Sequence, residues 1–152
     1  MSQEVFIGDV FGTATRYGKN VYAKTDEDIK PGMLVTITSG STVAKAGADD
    51  APWGVAYGAR HQVYRPTSKT FADGEELVVL MGDVWAVYSG DFFVGGSVPS
   101  LDTTLYSAAG GLMDTSGSNK VGRVVAEADR IEEVAGVGSS QDCVLVQLEL
   151  KP

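Results

Sequence analysis

The stretch DIKPGMLVTIT, residues 28–38, decides the fold class of this chain. Its Pro31-Gly32 pair is a strong turn signal, and the β-branched run from Met33 to Thr38 predicts a strand. A short turn at 39–41 and a second strand-like run at 42–46 follow directly. The stretch therefore predicts the first antiparallel hairpin of an all-β domain.

The same pattern of short strands and glycine-bearing turns continues to the end of the chain. The clearest strand pair is predicted at Glu75–Met81 and Asp83–Tyr88, with Gly82 between them as a bulge or bend. Both faces of Asp83–Tyr88 are apolar, which predicts a central strand. Further strands are predicted at 53–57, 103–107, 120–126 and 143–150.

These patterns predict an all-β fold, a small β-barrel or β-sandwich of short antiparallel strands with an extended N-terminal arm. The length of 152 residues suits one domain. We assign residues 1–25 to the N-terminal arm and residues 26–152 to a single β domain. The 19 glycines are scattered through the chain, as tight turns between short strands require.

The domain contains two stretches of similar order, at 28–58 and 91–126. Each has a glycine turn, a strand, a hairpin, a second strand, a polar loop and a third strand that begins at a glycine. Gly32 and Gly54 are 22 residues apart, and Gly96 and Gly122 are 26 apart. The sequence leaves two explanations open, an internal repeat or the chance self-similarity of a glycine-rich all-β chain.

Composition excludes several functional classes. The single cysteine excludes an internal disulfide framework and a cysteine-based zinc site. Neither a signal peptide nor an apolar run of membrane-spanning length is visible, so no membrane partner is expected. The net charge of −8 disfavours nucleic-acid binding, which depends on cationic surface.

The N-terminal segment combines aromatic residues with glycines and has no helical period. It is either an edge strand packed on its own domain or an arm that lies on a neighbouring subunit or partner, and the sequence leaves both open. In the second case its aromatic residues are candidate partner contacts: Phe6, Phe11, Tyr17 and Tyr22.

Residues 59–72 differ from the rest of the acidic chain because they carry a net charge of +3 and no acid. A basic segment with aromatic residues is typical of a partner contact, and within an acidic chain a protein partner is favoured over nucleic acid. An ordinary solvated loop is the other explanation. The candidate contact residues here are Tyr57, Arg60, His61, Tyr64, Arg65 and Lys69.

The sequence contains no recognisable catalytic or metal-binding pattern. His61 is the only histidine, no Gly-x-Ser-x-Gly motif accompanies it, and no glycine pair leads into a phosphate-binding Gly-Lys-Ser. The carboxylates at 26–28 and 49–50 lack the spacing of a calcium loop. We therefore expect no enzymatic activity, no cofactor and no metal.

Several turn and strand motifs together resemble the small cement or decoration proteins of tailed-phage heads. The similarity covers about residues 28–150 and is carried by IKPGMLV at 29–35, WGVA at 53–56, GDVWA at 82–86, GGSV at 95–98, VGRV at 121–124 and VLVQL at 144–148. The basic segment and the aromatic arm depart from the pattern of that family.

The resemblance implies a non-enzymatic β-barrel or β-sandwich protein on the outer surface of an icosahedral phage head. It implies a homo-oligomer, often a trimer, that binds the major capsid protein and stabilises contacts between capsomers. It also implies synthesis in the host cytoplasm. A second hypothesis is a ligand-binding β module of a virion, a carbohydrate-binding domain or tail-tip adhesin, in which Trp53, Trp85, Tyr57 and Tyr64 stack on sugars.

Overall fold

A computed structural model of the chain describes residues 6–7, 19–25, 27–30, 32–39, 42–58, 71–126 and 143–150. This part of the chain is built from strands and two short 3-10 turns, Gly90–Phe92 and Ala109–Gly111, and the all-β prediction is confirmed. It contains no helix that is long and apolar enough to cross a membrane. In chain order the strands are β1 Phe6–Ile7, β2 Lys19–Thr25, β3 Leu34–Ser39, β4 Thr42–Lys45, β5 Gly54–Gly58, β6 Glu76–Ser89, β7 Thr104–Ser107, β8 Met113–Asp114, β9 Lys120–Ala126 and β10 Cys143–Leu150.

The long strand β6 lies at the centre of the molecule. The sequence predicted two strands here, and this was wrong, because β6 runs unbroken through Gly82 for 14 residues. Gly82 has φ 89°, a conformation open to glycine, so it turns the strand without ending it. Before Gly82 the strand pairs with β2 and β5, and from Gly82 onward it pairs with β10 and β1.

The first half of β6 belongs to a closed barrel of five strands. Around the ring the order is β2, β4, β3, β5 and β6, and β2 closes it by pairing with β6. The β2–β4 pair is parallel and the others are antiparallel. Closure satisfies the backbone groups that an open sheet would leave at its edges. Alternate apolar side chains fill this barrel: Ile29, Val35, Val43, Ala56, Phe71, Leu77, Val79 and Met81.

The second half of β6 belongs to a second ring, in which it is followed by β10, β9, β7 and β8. A parallel bridge between Phe93 and Met113 closes this ring just beyond the end of β6, and the Val94 amide donates to the Met113 carbonyl at 2.9 Å. Its buried side chains include Val84, Ala86, Tyr88, Leu105, Met113, Val124, Val144, Val146 and Leu148. The molecule is therefore two small barrels in tandem that share one strand.

The two barrels repeat one topology and one register. Strand order β4-β3-β5-β6 in the first matches β8-β7-β9-β10 in the second. Val35 pairs with Gly54 as Leu105 pairs with Gly122. The β5–β6 ladder of the first barrel matches the β9–β10 ladder of the second. The pair Val55–Leu80 corresponds to Arg123–Gln147, and the pair Ala56–Val79 corresponds to Val124–Val146.

The register fixes which turns of the two barrels are equivalent. The sequence pairs Gly32 with Gly96, whereas the structure pairs Gly32 with Asp102. In each turn an amide donates three residues back at 3.2 Å, from Met33 to Lys30 and from Thr103 to Ser100. The third turn residue has positive φ in both, 95° at Gly32 and 67° at Asp102. Aspartate tolerates this conformation better than most residues, so the second turn does not need a glycine.

Segment 1–25 is described at two places, and both are paired with the same chain. β1 pairs with β6 at Ala86 and Val87, and β2 pairs with β6 along Lys19–Lys24. β2 and the second half of β6 occupy equivalent positions in the two barrels. β2 pairs with the first half of β6 in the first barrel, as the second half of β6 pairs with β10 in the second barrel. Residues 19–25 of the predicted arm are therefore a wall of the first barrel.

Candidate partner-contact surfaces

The partner-contact residues predicted from sequence fall mainly outside the described residues. Three lie on strands of the first or second barrel: Phe6 on β1 opposite Val87, Tyr22 on β2 opposite Val78, and Tyr57 on β5. Their predicted contact role stays a prediction. The predicted residues outside the described part of the chain are Phe11, Tyr17, Arg60, His61, Tyr64, Arg65 and Lys69.

The first barrel holds both ends of the basic segment 59–72. It leaves β5 at Gly58, which pairs with Val78 of β6. It returns at Phe71, whose amide donates to the Ile29 carbonyl at 2.7 Å and whose carbonyl accepts from the Ile29 amide at 2.9 Å. Phe71 is 1% exposed, so its ring anchors the returning chain in the barrel core. The exposed acids Asp28 and Asp73 flank this anchor.

The two barrels are joined by hydrogen bonds to one loop of the first barrel, residues 46–48. The Gly111 amide donates to the Ala46 carbonyl at 2.9 Å. The Ser107 hydroxyl donates to the Gly47 carbonyl at 2.8 Å. The Asn119 side-chain amide donates to the next carbonyl, that of Ala48, at 3.3 Å. The β7–β8 hairpin end of the second barrel is thereby fixed on the first.

Tyr88 of β6 makes a fourth link between the barrels. Its hydroxyl donates to the Gly32 carbonyl at 2.8 Å, and the residue is fully buried. Its ring lies 5.1 Å from that of Phe92 and 6.2 Å from that of Phe93, in tilted and edge-on arrangements. Burial raises the pKa of Tyr88 far above its usual value, so the hydroxyl keeps its proton as the donor.

Exposed apolar side chains mark the surfaces that the barrels leave uncovered. Among the described residues the large exposed hydrophobic side chains are Ile37 at 45%, Val94 at 50% and Leu101 at 47%. Ile37 lies near the end of the β3–β4 hairpin, and the Thr38 and Thr42 hydroxyls are 2.7 Å apart across that hairpin. Val94 and Leu101 lie on the connection from β6 to β7.

That connection, residues 90–103, is longer than its counterpart in the first barrel, residues 26–33. The additional chain contains Gly95 and Gly96, both at positive φ and exposed. The loop reaches solvent while its base is fixed, because the Gly96 amide donates to the Phe93 carbonyl at 3.0 Å. The loop is therefore a candidate contact surface that sequence analysis described only as a turn.

A surface groove of about 350 Å³ lies where the two barrels meet. Its walls are residues 51–52 of the first barrel and residues 118–122 and 149–150 of the second. Its charged groups, Lys120 and Glu149, are both exposed. The groove shows no buried charged group that would select a ligand.

Of the aromatic residues proposed to stack on sugars, Trp53 is half-buried and packs against the core of the first barrel. A ring committed to core packing presents little face for stacking on a sugar. No group of three or more His, Cys, Asp or Glu that could hold a metal occurs within the described ranges. Two surface ion pairs occur there, Lys45–Glu27 and Arg123–Asp102, each at 3.7 Å.

Comparison with known proteins gives a structural similarity without a sequence family. No protein-family model matches the chain, and no curated protein matches it significantly. Among solved structures, the chain is similar to the N base of the head fibre gp8.5 in bacteriophage phi29. Sequence identity is 12%, the match covers 88% of this chain and 94% of that one, and the TM-score is 0.48. At these values the similarity carries no information about what this chain does.

Proposed function

We propose that this chain is a structural protein of a phage virion, a decoration protein that binds the outer surface of an icosahedral head and has no catalytic role. One observation carries the proposal: the residues of the cement-protein resemblance build the frame of two fused barrels. Gly32 lies in the turn into β3, while Gly54 and Gly122 lie where the main chain of the next strand leaves no room for a Cβ.

A fused pair of closed barrels suits such a role mechanically. One apolar cluster fills the first barrel, and a second cluster fills the second barrel and continues onto Leu34, Val55 and Leu80 of the first. The shared strand β6 also prevents the barrels from separating without breaking both. A rigid body with surface connections can contact two capsomers at once. Weak contacts repeated by the symmetry of a shell add up through avidity, so no single contact needs to be strong.

The contact with the major capsid protein is proposed to use the basic segment, with Arg60, Arg65 and Lys69 opposite acidic groups of the shell. Support comes from charge, since this segment carries +3 in a chain of −8. Its ends are held on the first barrel by the Gly58–Val78 and Phe71–Ile29 pairings. The aromatic residues Phe11 and Tyr17 of the N-terminal segment are proposed as further contacts.

The test is co-sedimentation of the purified full chain with heads that lack it. We expect saturable binding, and heads that resist heating and low salt better when the protein is bound. The triple variant Arg60→Gln, Arg65→Gln, Lys69→Gln should bind more weakly, and added salt should weaken wild-type binding. The charge-matched control is the triple variant Lys45→Gln, Lys120→Gln, Arg123→Gln, which removes the same three positive charges from the two barrels and should bind like wild type. Equal binding by the triple variant would remove the basic segment from the contact, and absence of any binding would remove the decoration role.

A further inference from the structure

One exposed turn connects the Phe71 anchor of the first barrel to strand β6. The Glu75 amide donates to the Ala72 carbonyl at 2.9 Å, and the Glu75 carboxylate accepts from the Ala72 amide at 3.0 Å. Between these two residues, Asp73 and Gly74 are exposed to solvent. Gly74 has φ 89°, a conformation that favours glycine. The turn is therefore hydrogen-bonded at its two ends and open at its centre.

The two central residues of this turn have no other partner. Within the described part of the chain, no hydrogen bond or ion pair engages the Asp73 carboxylate or the Gly74 amide. Nothing lies within 4 Å of the place where a Cβ on Gly74 would stand. The pair is also the only Asp-Gly step in the sequence, which contains no Asn-Gly step. A side-chain carboxyl and the next main-chain nitrogen are thus both accessible and unprotected.

An aspartate followed by glycine can close a five-membered ring with its own main chain. The Gly74 nitrogen attacks Cγ of the protonated Asp73 carboxyl, a C–N bond forms, and the carboxyl hydroxyl leaves as water with the amide proton. The resulting succinimide takes up water at one of its two carbonyls. Opening at the side-chain carbonyl restores aspartate. Opening at the main-chain carbonyl gives isoaspartate, in which the chain runs through the side-chain carboxyl carbon.

Glycine is the residue that hinders this attack least. It has no side chain beside the attacking nitrogen, and its main chain reaches other conformations at low cost. Exposed Asp49 lacks this advantage, because it is followed by Asp50, whose carboxylate accepts from the Gly47 amide at 2.8 Å. The ring closure and its hydrolysis together need only water, with no oxidant, reductant or cofactor.

We propose that Asp73-Gly74 is a modification site of the folded protein, at which aspartate converts to isoaspartate through a succinimide. The change adds one methylene group to the main chain of the turn, between the Phe71 anchor and β6, and so at the base of the basic segment. The reaction does not depend on binding to a shell, so this proposal and the proposed function can fail separately.

Peptide mapping by mass spectrometry tests the site, after the full chain has been stored in warm neutral buffer made with heavy-oxygen water. The peptide that contains residue 73 should gain one heavy oxygen and separate into aspartate and isoaspartate forms. A minor form should show the loss of one water, as the succinimide requires. Exposed Asp49 is the internal control and should stay unlabelled. A parallel sample in urea gives the reaction of the unfolded chain.

The matched variant is Gly74→Asn. Asparagine tolerates positive φ better than most residues, and its Cβ would have free space in this turn. The fold should therefore be kept while the new side chain hinders the nitrogen, and conversion at residue 73 should fall several-fold. Asp73→Glu keeps the charge but would need a six-membered ring, so conversion at this position should be lost.

Three results would overturn the proposal. They are a folded protein that stays unlabelled at residue 73 while the urea sample is labelled, labelling of Asp49 as fast as that of Asp73, and conversion in Gly74→Asn as fast as in wild type. Circular dichroism checks that both variants are folded. If Gly74→Asn is unfolded, Asp73→Glu carries the comparison, and undiminished conversion in that variant would contradict the proposal.

Discussion

At the scale of single residues, two glycines set how closely strands approach in the two barrels. A Cβ on Gly54 would lie 2.8 Å from the Leu80 carbonyl oxygen. A Cβ on Gly122 would meet the Gln147 carbonyl oxygen and lie 3.1 Å from the Leu148 Cα. Both obstacles are main-chain atoms of the next strand, so they cannot rotate away. The equivalence of these glycines was visible in the sequence, but the reason for it was not.

We expect Gly122→Ala to lower the free energy of unfolding by about 1–3 kcal/mol, as overpacking of a filled core does. Urea denaturation followed by circular dichroism measures the change. Gly47→Ala is the control, because a Cβ there would meet only the Asp50 carboxylate, at an ordinary 3.4 Å. Equal stability of the two variants would mean that β9 and β10 are not in the close contact described.

The hydrogen bond of Tyr88 to Gly32 could not be predicted from the sequence. The place of this tyrosine in an apolar strand predicts burial, but nothing in the sequence connects it with Gly32, 56 positions earlier. We expect Tyr88→Phe to destabilise the protein by about 1–3 kcal/mol, since the buried Gly32 carbonyl loses its side-chain donor. The same denaturation experiment measures this, and a change near zero would show that the hydrogen bond adds nothing.

The raised pKa of Tyr88 predicts a loss of stability in alkali. In the unfolded chain the hydroxyl titrates near its ordinary value of about 10, whereas burial keeps it protonated in the folded chain. Above that pH the unfolded state binds fewer protons than the folded state, so the free energy of unfolding falls as pH rises. The contribution of this group is up to about 1.4 kcal/mol per pH unit. Tyr88→Phe should show a shallower fall than wild type above pH 10, and parallel curves would contradict the assignment.

At the scale of elements, the residue pattern of the sequence predicted where strands lie but not which strands pair with one another. The β-branched and alternating runs predicted 120–126 and 143–150, and β9 and β10 have those bounds. Gly82-Asp83 suggested a break between two strands, but a positive φ allows β6 to bend and continue. The parallel β2–β4 pair that completes the first ring joins distant segments, and local pattern contains no information about such a pair.

The shared strand predicts how the protein unfolds. Because β6 is a wall of both barrels, neither barrel can lose its core while β6 stays ordered for the other. We expect one cooperative transition, with equal calorimetric and van't Hoff enthalpies in differential scanning calorimetry. Two separated transitions would mean that the barrels are energetically independent.

The candidate contact residues likewise divide into those that the sequence suggested and those that only the structure shows. Aromatic and basic residues were selected from sequence because such side chains commonly meet partners. Ile37 and Leu101 were not selected, because an apolar residue in a strand or turn is ordinarily buried. The structure shows that both side chains are nearly half exposed, Ile37 near the end of the β3–β4 hairpin and Leu101 on the connection from β6 to β7.

At the scale of the whole molecule, two barrels share β6, and the first barrel holds both ends of the basic segment. On a symmetric shell the proposed contacts of many copies would each be weak and would add up through avidity. If the basic segment makes these contacts, added salt should release the protein from heads. Co-sedimentation at rising salt measures the effect, and binding that does not change with salt would contradict a contact through the basic segment.

Electron microscopy of the phage particle to which this chain is proposed to belong tests the central claim most directly. The account predicts density for paired small barrels on the outer surface of the head, repeated with the shell symmetry and lying across contacts between capsomers. That density should be absent from particles made without the protein. Density for this chain at the tail tip or inside the shell, or its absence from the particle, would contradict the account.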